Sequence, residues 1–112
     1  MNNKVTAGHD QLGSFAPKFA ELNDTVLFGE IWAREAEFSA RDRSLITISA
    51  LIAEGAFEQL SFHIQKGKDN GLTAQDISEV ITHLAFYVGW PKAWSAFNVA
   101  KKIFDEKEGN ND

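Results

Sequence analysis

The chain contains no cysteine and only two prolines among its 112 residues. Without cysteine there is no disulfide, no thiolate nucleophile, no thiolate-bound zinc and no iron–sulfur cluster. Basic residues are also scarce: eleven Lys and Arg stand against sixteen Asp and Glu, for a net charge of −5. Because binding to phosphates needs clustered basic side chains, we do not expect a nucleic-acid partner.

Long apolar runs are missing as well. No window of the sequence reaches the roughly 18 apolar residues that a membrane span needs. The N-terminal stretch, MNNKVTAGHDQLG, has no apolar run behind a basic end. We therefore expect no membrane partner and a cytoplasmic location.

The sequence is rich in apolar residues, with 44% hydrophobic and 12% aromatic residues. That composition is typical of a packed globular protein. The length fits one domain over residues 1–112, and a helical chain this short often completes its core against copies of itself. We expect a homo-oligomer of single-domain subunits.

The spacing of apolar residues predicts an all-α bundle of about six helices, and no strand pattern competes with it. The helices are expected to begin near Pro17, Asn23, Ser39, Phe57, Thr73 and Pro91. Residues 1–15 are expected to form a polar arm and residues 106–112 a tail that frays. Ser39 with Asp42, and Thr73 with Asp76, have the three-residue spacing of a capping box.

Three predictions concern packing. The central helix is apolar over most of its circumference, so we expect it to be buried on nearly all sides. Gly71 is expected to end the fourth helix in a left-handed conformation. The last helix is expected to turn its larger apolar residues inward: Trp94, Phe97, Ala100, Ile103 and Phe104.

Gln59 and His63 form the pair best suited to chemistry. They lie one turn apart on one side of the fourth helix and can contact a common ligand. An imidazole delivers or removes a proton near neutral pH, and an amide beside it can orient the ring or a substrate oxygen. The alternative is a partly buried His63 that only hydrogen-bonds to a carbonyl.

Two further ionisable residues lie on or beside apolar faces. Arg43 opens the central helix, where its charge opposes the helix dipole, and it can bind a carboxylate through two parallel hydrogen bonds. It can equally pair with Glu35, Glu37 or Glu58. His83 lies at the edge of the buried face of the fifth helix, either as a second acid or base or as a satisfied core or interface histidine.

Aromatic side chains supply the remaining candidates. Trp90 could help to line a pocket for a flat ring, although tryptophans at helical spacing more often belong to a core. The candidate substrate-binding residues are thus Arg43, Glu58, His83 and Trp90. No metal site is expected, because no two His have the one-turn spacing of helical zinc sites. A glycine-rich phosphate loop and a serine elbow are also missing from the sequence.

Several segments, taken in order, resemble one known family. Residues 39–51, SARDRSLITISAL, are similar to a helix opening in which an Arg precedes a Leu-Ile-Thr-type run. Four segments follow in register: EQLSFH at 58–63, NGLT at 70–73, ISEV at 77–80 and YVGWPKA at 87–93. Over roughly residues 16–105 the chain resembles the carboxymuconolactone decarboxylase family.

The resemblance implies an all-α fold of the alkylhydroperoxidase D type, assembled as a hexamer or trimer with pockets near subunit contacts. In the peroxidase branch of that superfamily a Glu, two cysteines and a His form a proton relay. Aligned on His63, this chain has Ser44 in place of the Glu. Ala56 and Gln59 stand in place of the two cysteines. Since the thiolate is the chemistry itself, a thiol peroxidase activity is excluded.

The decarboxylase branch needs no cysteine. There the resemblance implies loss of CO2 from a carboxylated unsaturated lactone in the breakdown of aromatic compounds, without a cofactor. Arg43 would hold a carboxylate, His63 would protonate the carbon, and Gln59 would orient His63 or the lactone carbonyl. Two alternatives stay open: a non-catalytic, oligomeric ligand-binding protein of the same fold, and a related isomerase or lactone hydrolase.

Overall fold

Helices account for the secondary structure of the chain, whose computed structural model describes residues 4–109, with side chains described as far as residue 105. Six α-helices follow one another: α1 (Ala7–Leu12), α2 (Pro17–Glu21), α3 (Ala40–Glu54), α4 (Phe57–Asp69), α5 (Ala74–Val88) and α6 (Trp90–Gly109). No strand occurs within residues 4–109. The prediction of an all-α fold is therefore confirmed.

A π-helical segment, Leu22–Ile31, continues directly from α2. Its hydrogen bonds span five residues, as in the 2.9 Å bond from the Trp32 N–H to the Leu27 carbonyl. The sequence predicted an ordinary second helix here with one apolar face. The segment buries none of its residues, so the expected buried face is not formed within the chain.

The chain divides into two compact units, one ending at Ala40 and the other starting at Arg41. The first unit contains α1, α2 and the π-helical segment, and the second contains α4, α5, α6 and nearly all of α3. One domain over residues 1–112 stays a prediction. Within the described residues, no helix is both long and apolar enough to cross a membrane.

Asp24 holds the start of α1 in the first unit. Its carboxylate accepts hydrogen bonds from the backbone N–H groups of Gly8 and His9 at 2.8 and 2.9 Å. These N–H groups lie in the first turn, where they have no partner inside the helix. A Cβ on Gly8 would lie 2.7 Å from an Asp24 oxygen and 2.8 Å from the Ala20 carbonyl oxygen, so this approach requires glycine. The stretch predicted as a polar arm is thus polar but partly helical; residues 1–3 lie outside the described part.

The core of the second unit is aliphatic and draws on all four of its helices. Its largest fully buried side chains are Ile48 and Ile52 of α3, Leu60 and Ile64 of α4, and Ile77 and Ile81 of α5. Fully burying one such side chain stabilises a fold by roughly 1.5–3 kcal/mol. This core fixes α4 between its neighbours and thereby sets the direction in which the polar side of α4 faces.

The close packing at the end of α4 depends on Gly67. A Cβ there would lie 2.9 Å from Leu72 Cδ1 and 3.1 Å from Ile48 Cδ1. The Gly67 carbonyl accepts the Leu72 N–H at 2.8 Å, and the Lys68 carbonyl accepts the Gly71 N–H at 3.1 Å. With a φ of 106° at Gly71, these two bonds make a Schellman motif. The helix end predicted at Gly71 is confirmed.

The capping box predicted for α5 is also present. Thr73 Oγ1 accepts the Asp76 N–H at 3.0 Å, and the Asp76 carboxylate accepts the Thr73 N–H at 2.9 Å. Asp76 in addition pairs with Arg41 of α3 at 3.4 Å. The hydrogen bond from Thr73, more than the charge of Arg41, holds the pKa of Asp76 below its usual range. The start of α5 is thereby tied to the start of α3.

The central helix, α3, is less buried than the sequence predicted. It buries one stripe of three residues, Ser44, Ile48 and Ile52, and leaves Ile46 58% exposed. The prediction of burial on nearly all sides is wrong for this chain, because its own helices cover α3 along one stripe.

The inward face of α6 agrees with the prediction at Ala100, Ile103 and Phe104, which are buried or packed against the core, and differs from it at Trp94 and Phe97. Ala93, Ala96 and Ala100 face the core, whereas Trp94 is 64% and Phe97 36% exposed. Two apolar stripes lie side by side on this helix, and the stripe of small residues lets α6 approach α4 and α5 closely. Apolar spacing alone does not select between the two stripes. Helix α6 runs past residue 106, where fraying was predicted, to Gly109; residues 110–112 lie outside the described part.

Candidate active site

One flank of α4 gathers polar residues able to take part in chemistry. At about 100° per residue, Gln59, His63, Lys66 and Asn70 fall within roughly 60° of one another around the helix. We call these four residues the α4 flank. Gln59 is exposed, and the other three are half-buried. The α4 flank borders the buried stripe of the helix, which consists of Leu60, Ile64 and Gly67.

His63 lies in the middle of the α4 flank. Its Nδ1 atom is shielded from solvent, and its ring meets the Phe62 ring edge-on with centroids 4.9 Å apart. Burial, and to a smaller extent the positive charge of Lys66 one turn later, lowers the pKa of His63. The resting form at pH 7 is therefore the neutral imidazole.

Asn70 connects the α4 flank to α3. Its side-chain amide donates to the Oγ of Ser44 at 3.1 Å, and Ser44 is fully buried. Arg43, which directly precedes Ser44, is half-buried. Its backbone carbonyl accepts a hydrogen bond from the Thr47 hydroxyl at 2.7 Å. The backbone that carries Arg43 is thus anchored to the end of the α4 flank. A contact between the Arg43 guanidinium and a ligand of His63 stays a prediction.

Two other predicted substrate-binding residues, Glu58 and Trp90, are exposed. Glu58 lies about 140° around α4 from His63. Trp90 is 57% exposed at the start of α6, where the Phe86 ring packs edge-on against it at 5.9 Å. The structure places Gln59 and His63 on one flank of α4 and Glu58 on another side of the same helix.

His83 faces a separate groove between α3 and α5. The groove has a volume of about 480 Å³, and its polar lining residues are His83, Glu79 and Ser49. The exposed His83 ring also contacts the Tyr87 ring, with centroids 5.1 Å apart. His83 lies about 160° around α5 from the fully buried Ile81, so the prediction that it lies at the edge of the buried face is wrong; its role in substrate binding stays a prediction.

Lys66 is the residue of this site that the sequence reasoning missed. Its spacing of three from His63 and seven from Gln59 places it on the same flank, and that signal was present in the sequence. The half-burial of Lys66 depends on how α4 packs, which spacing does not give. Among the described residues, no group of three or more His, Asp or Glu side chains is placed to bind a metal ion.

Comparison with known proteins bears on these residues. The chain matches the family model for the carboxymuconolactone decarboxylase family over residues 17–102. It is 30% identical over 102 residues to a 4-carboxymuconolactone decarboxylase of Acinetobacter baylyi, covering 91% of this chain and 75% of that protein. It is also 30% identical over 86 residues to a nitrosuccinic acid decarboxylase of Metarhizium robertsii, covering 77% of this chain and 59% of that protein. The α4 flank lies inside the matched region.

Proposed function

The chain belongs to the carboxymuconolactone decarboxylase family, and on that premise we propose that it removes CO2 from a carboxylated unsaturated lactone or a similar small acid without a cofactor. The half-buried His63 on the α4 flank is the observation that carries the proposal. The two relatives, both named as decarboxylases, support a carboxy-lyase.

The acids named in these two relatives share one chemical property. When a carboxylate leaves as CO2, its bonding electron pair stays on the carbon, so a neighbouring group must accept it. In an unsaturated lactone the conjugated carbonyl accepts the pair, and in nitrosuccinic acid the nitro group does. A substrate of this kind carries its own electron acceptor. The protein then has to bind it, orient it and supply a proton.

We assign the proton to His63. The bond between the carbon and the carboxylate breaks, CO2 leaves, and the electron pair moves into the acceptor group. The His63 imidazolium transfers its proton to the carbon and afterwards takes a proton from solvent. Gln59, one turn earlier on the α4 flank, orients the ring or an acceptor oxygen. Arg43 holds a substrate carboxylate through two parallel hydrogen bonds.

The lowered pKa of His63 sets a condition on this role. At pH 7 the free protein holds a neutral imidazole, whereas proton delivery requires the imidazolium. A carboxylate bound nearby raises the pKa of His63, because a negative charge favours the charged ring. Protonation of His63 therefore has to accompany the binding of an anionic substrate.

The proposed assembly is a homo-oligomer, a hexamer or a trimer. Large aromatic side chains with little cover support it, the most exposed being Phe15, Phe86, Tyr87 and Trp94. Apolar surface of this kind marks interaction sites on soluble proteins.

The test measures CO2 release from 4-carboxymuconolactone and from nitrosuccinic acid. His63→Ala is expected to lower kcat by about 10²- to 10⁴-fold, the usual contribution of a general acid. Arg43→Ala is expected to raise KM more than it lowers kcat. His9→Ala, at an exposed position on α1, is the matched control and should keep wild-type turnover.

Each alternative has its own signature in this assay. Undiminished decarboxylation by the His63→Ala, Arg43→Ala double variant would refute the assigned roles. Turnover without CO2 release would identify an isomerase or a lactone hydrolase. Binding without turnover of either acid would identify a non-catalytic ligand-binding protein of the same fold.

A further inference from the structure

We infer that Lys66 binds the carboxylate that the substrate retains, and that this contact lets His63 take up the proton it delivers. The inference rests on the proposed decarboxylase function and adds a cation to the same site. It also narrows the substrate class to small acids with two carboxylates, of which one leaves and one stays.

The position of Lys66 is the first argument. It follows His63 by three residues on the α4 flank, and side chains with that spacing start about 5–6 Å apart on a helix surface. Both side chains are half-buried and border the same buried stripe. Since a lysine stem has four carbons, its ammonium can reach a ligand that also contacts the imidazole.

Lys68, two residues later, packs against α6. It is also half-buried, but its ammonium lies 4.9 Å from the centre of the Phe104 ring of α6. The two lysines lie about 160° apart around α4. Lys68 is therefore occupied by packing of α4 against α6, on the other side of the helix from His63, and serves as a matched control.

The charge of Lys66 supplies the second argument. Its positive charge acts on the His63 ring, where it adds to burial in disfavouring the imidazolium. A carboxylate bound to the ammonium cancels this repulsion and places a negative charge beside the ring. Binding of the substrate and protonation of His63 are then coupled, as the proposed chemistry requires.

A substrate that keeps a carboxylate on Lys66 must have two carboxylates. In an acid with one carboxylate, neutral CO2 leaves and the negative charge moves with the bonding electron pair to the acceptor group, so no carboxylate remains on Lys66 during proton transfer. In an acid with two, the retained carboxylate stays on Lys66 while the other departs. Nitrosuccinic acid and carboxylated muconolactone, the acids in the relatives' names, each contain two carboxyl groups. Monocarboxylic analogues are expected to be poor substrates.

A binding experiment tests the coupling without any turnover. Succinate has two carboxylates and no electron acceptor, so it is an unreactive probe, and propionate is its one-carboxylate counterpart. The ring-proton resonance of His63, assigned with His63→Gln, is titrated by NMR with and without each acid. Succinate is expected to raise the His63 pKa in the wild type and in Lys68→Met, and to leave it unchanged in Lys66→Met. Propionate is expected to have a smaller effect.

Kinetics then test the role in turnover. Lys66→Met is expected to lower kcat/KM for nitrosuccinic acid by about ten- to a hundredfold, the effect of losing one charge-assisted hydrogen bond. Lys66→Arg should restore most of the loss, and Lys68→Met should stay within about twofold of the wild type. Circular dichroism confirms that each variant is folded, and Lys66→Gln replaces Lys66→Met if the latter does not fold.

The outcomes separate the two proposals. Wild-type protein that decarboxylates neither acid contradicts the proposed function, and the succinate titration then decides alone whether Lys66 and His63 share an anion site. An active wild type with unchanged kcat/KM in Lys66→Met overturns the role of Lys66 and leaves decarboxylation standing. An equal succinate effect on His63 in the wild type and in Lys66→Met overturns the coupling.

Discussion

Folding partly buries one of the three histidine side chains of this chain, so the free energy of unfolding is expected to depend on pH. His63 is half-buried, whereas His9 and His83 are exposed. Burial, followed by the charge of Lys66, lowers the pKa of His63 in the folded protein. Between this pKa and the ordinary value of about 6.5, the unfolded chain binds more protons than the folded one. Stability is therefore expected to fall as the pH falls below about 6.5.

The size of the effect follows from the number of groups involved. One proton taken up on unfolding changes stability by at most about 1.4 kcal/mol per pH unit, and the slope ends once the pH is below the folded pKa. The carboxylates of Asp24 and Asp76 have lowered pKa values, so their stabilising contributions are lost as the pH falls below about 4. A window from pH 7.5 to 5.0 thus separates the contribution of His63 from those of Asp24 and Asp76.

The assay is urea unfolding followed by circular dichroism across this window, at one fixed protein concentration because the chain is expected to self-associate. His63→Gln is expected to reduce the decline of the wild type. His9→Gln and His83→Gln, each at an exposed position, are the controls and should keep it. A His63→Gln protein with the wild-type decline, or a His83→Gln protein that loses it, would show that the burial argument is wrong.

Two further predictions concern the ends of helices. Thr73→Ala removes the N-cap of α5 and is expected to cost about 1 kcal/mol in urea unfolding. Thr82→Ala, at an exposed position inside α5, is its control and should change stability by less than half as much. Asp24→Ala removes the acceptor of the Gly8 and His9 N–H groups, so both amides should exchange faster with solvent deuterons, and unchanged exchange rates would contradict the capping role.

The parts of the fold that the sequence predicted are held by interactions between near neighbours. The capping box joins Thr73 and Asp76 across three residues, and the left-handed turn at Gly71 closes α4 through bonds to residues at most five positions away. All the residues that form such a cap or turn lie within one short segment of the sequence. Such features can be recognised before any tertiary contact is known.

The parts that were missed depend on contacts between distant residues or on a choice between equal patterns. The capping of α1 by Asp24 spans sixteen residues, and six helical residues carry too little apolar periodicity to show the helix. In α6 the stripe of Ala96 and the stripe of Trp94 have the same spacing. The choice between them is made by how closely α6 can approach its neighbours, which is a property of the packed unit.

In the candidate site, too, the features set by local spacing were predicted and those set by packing were not. The pairing of Gln59 with His63 is a one-turn spacing and was visible in the sequence. The same arithmetic separates Glu58, which was predicted to bind the substrate, from His63 around α4. The lowered pKa of His63 comes from burial, so it appears only when α4 is packed against the core.

In the proposed mechanism, the residue at position 44 bears on where the negative charge beside His63 comes from. A glutamate at the position of Ser44 would place a negative charge in the protein, and the resemblance to the peroxidase branch aligns Ser44 with that residue. Here the position holds an uncharged hydroxyl that is fully buried and accepts the Asn70 amide. The influences identified on the His63 pKa, burial and Lys66, both oppose protonation. In the proposed mechanism, His63 therefore becomes a proton donor at pH 7 when an anionic substrate binds beside it.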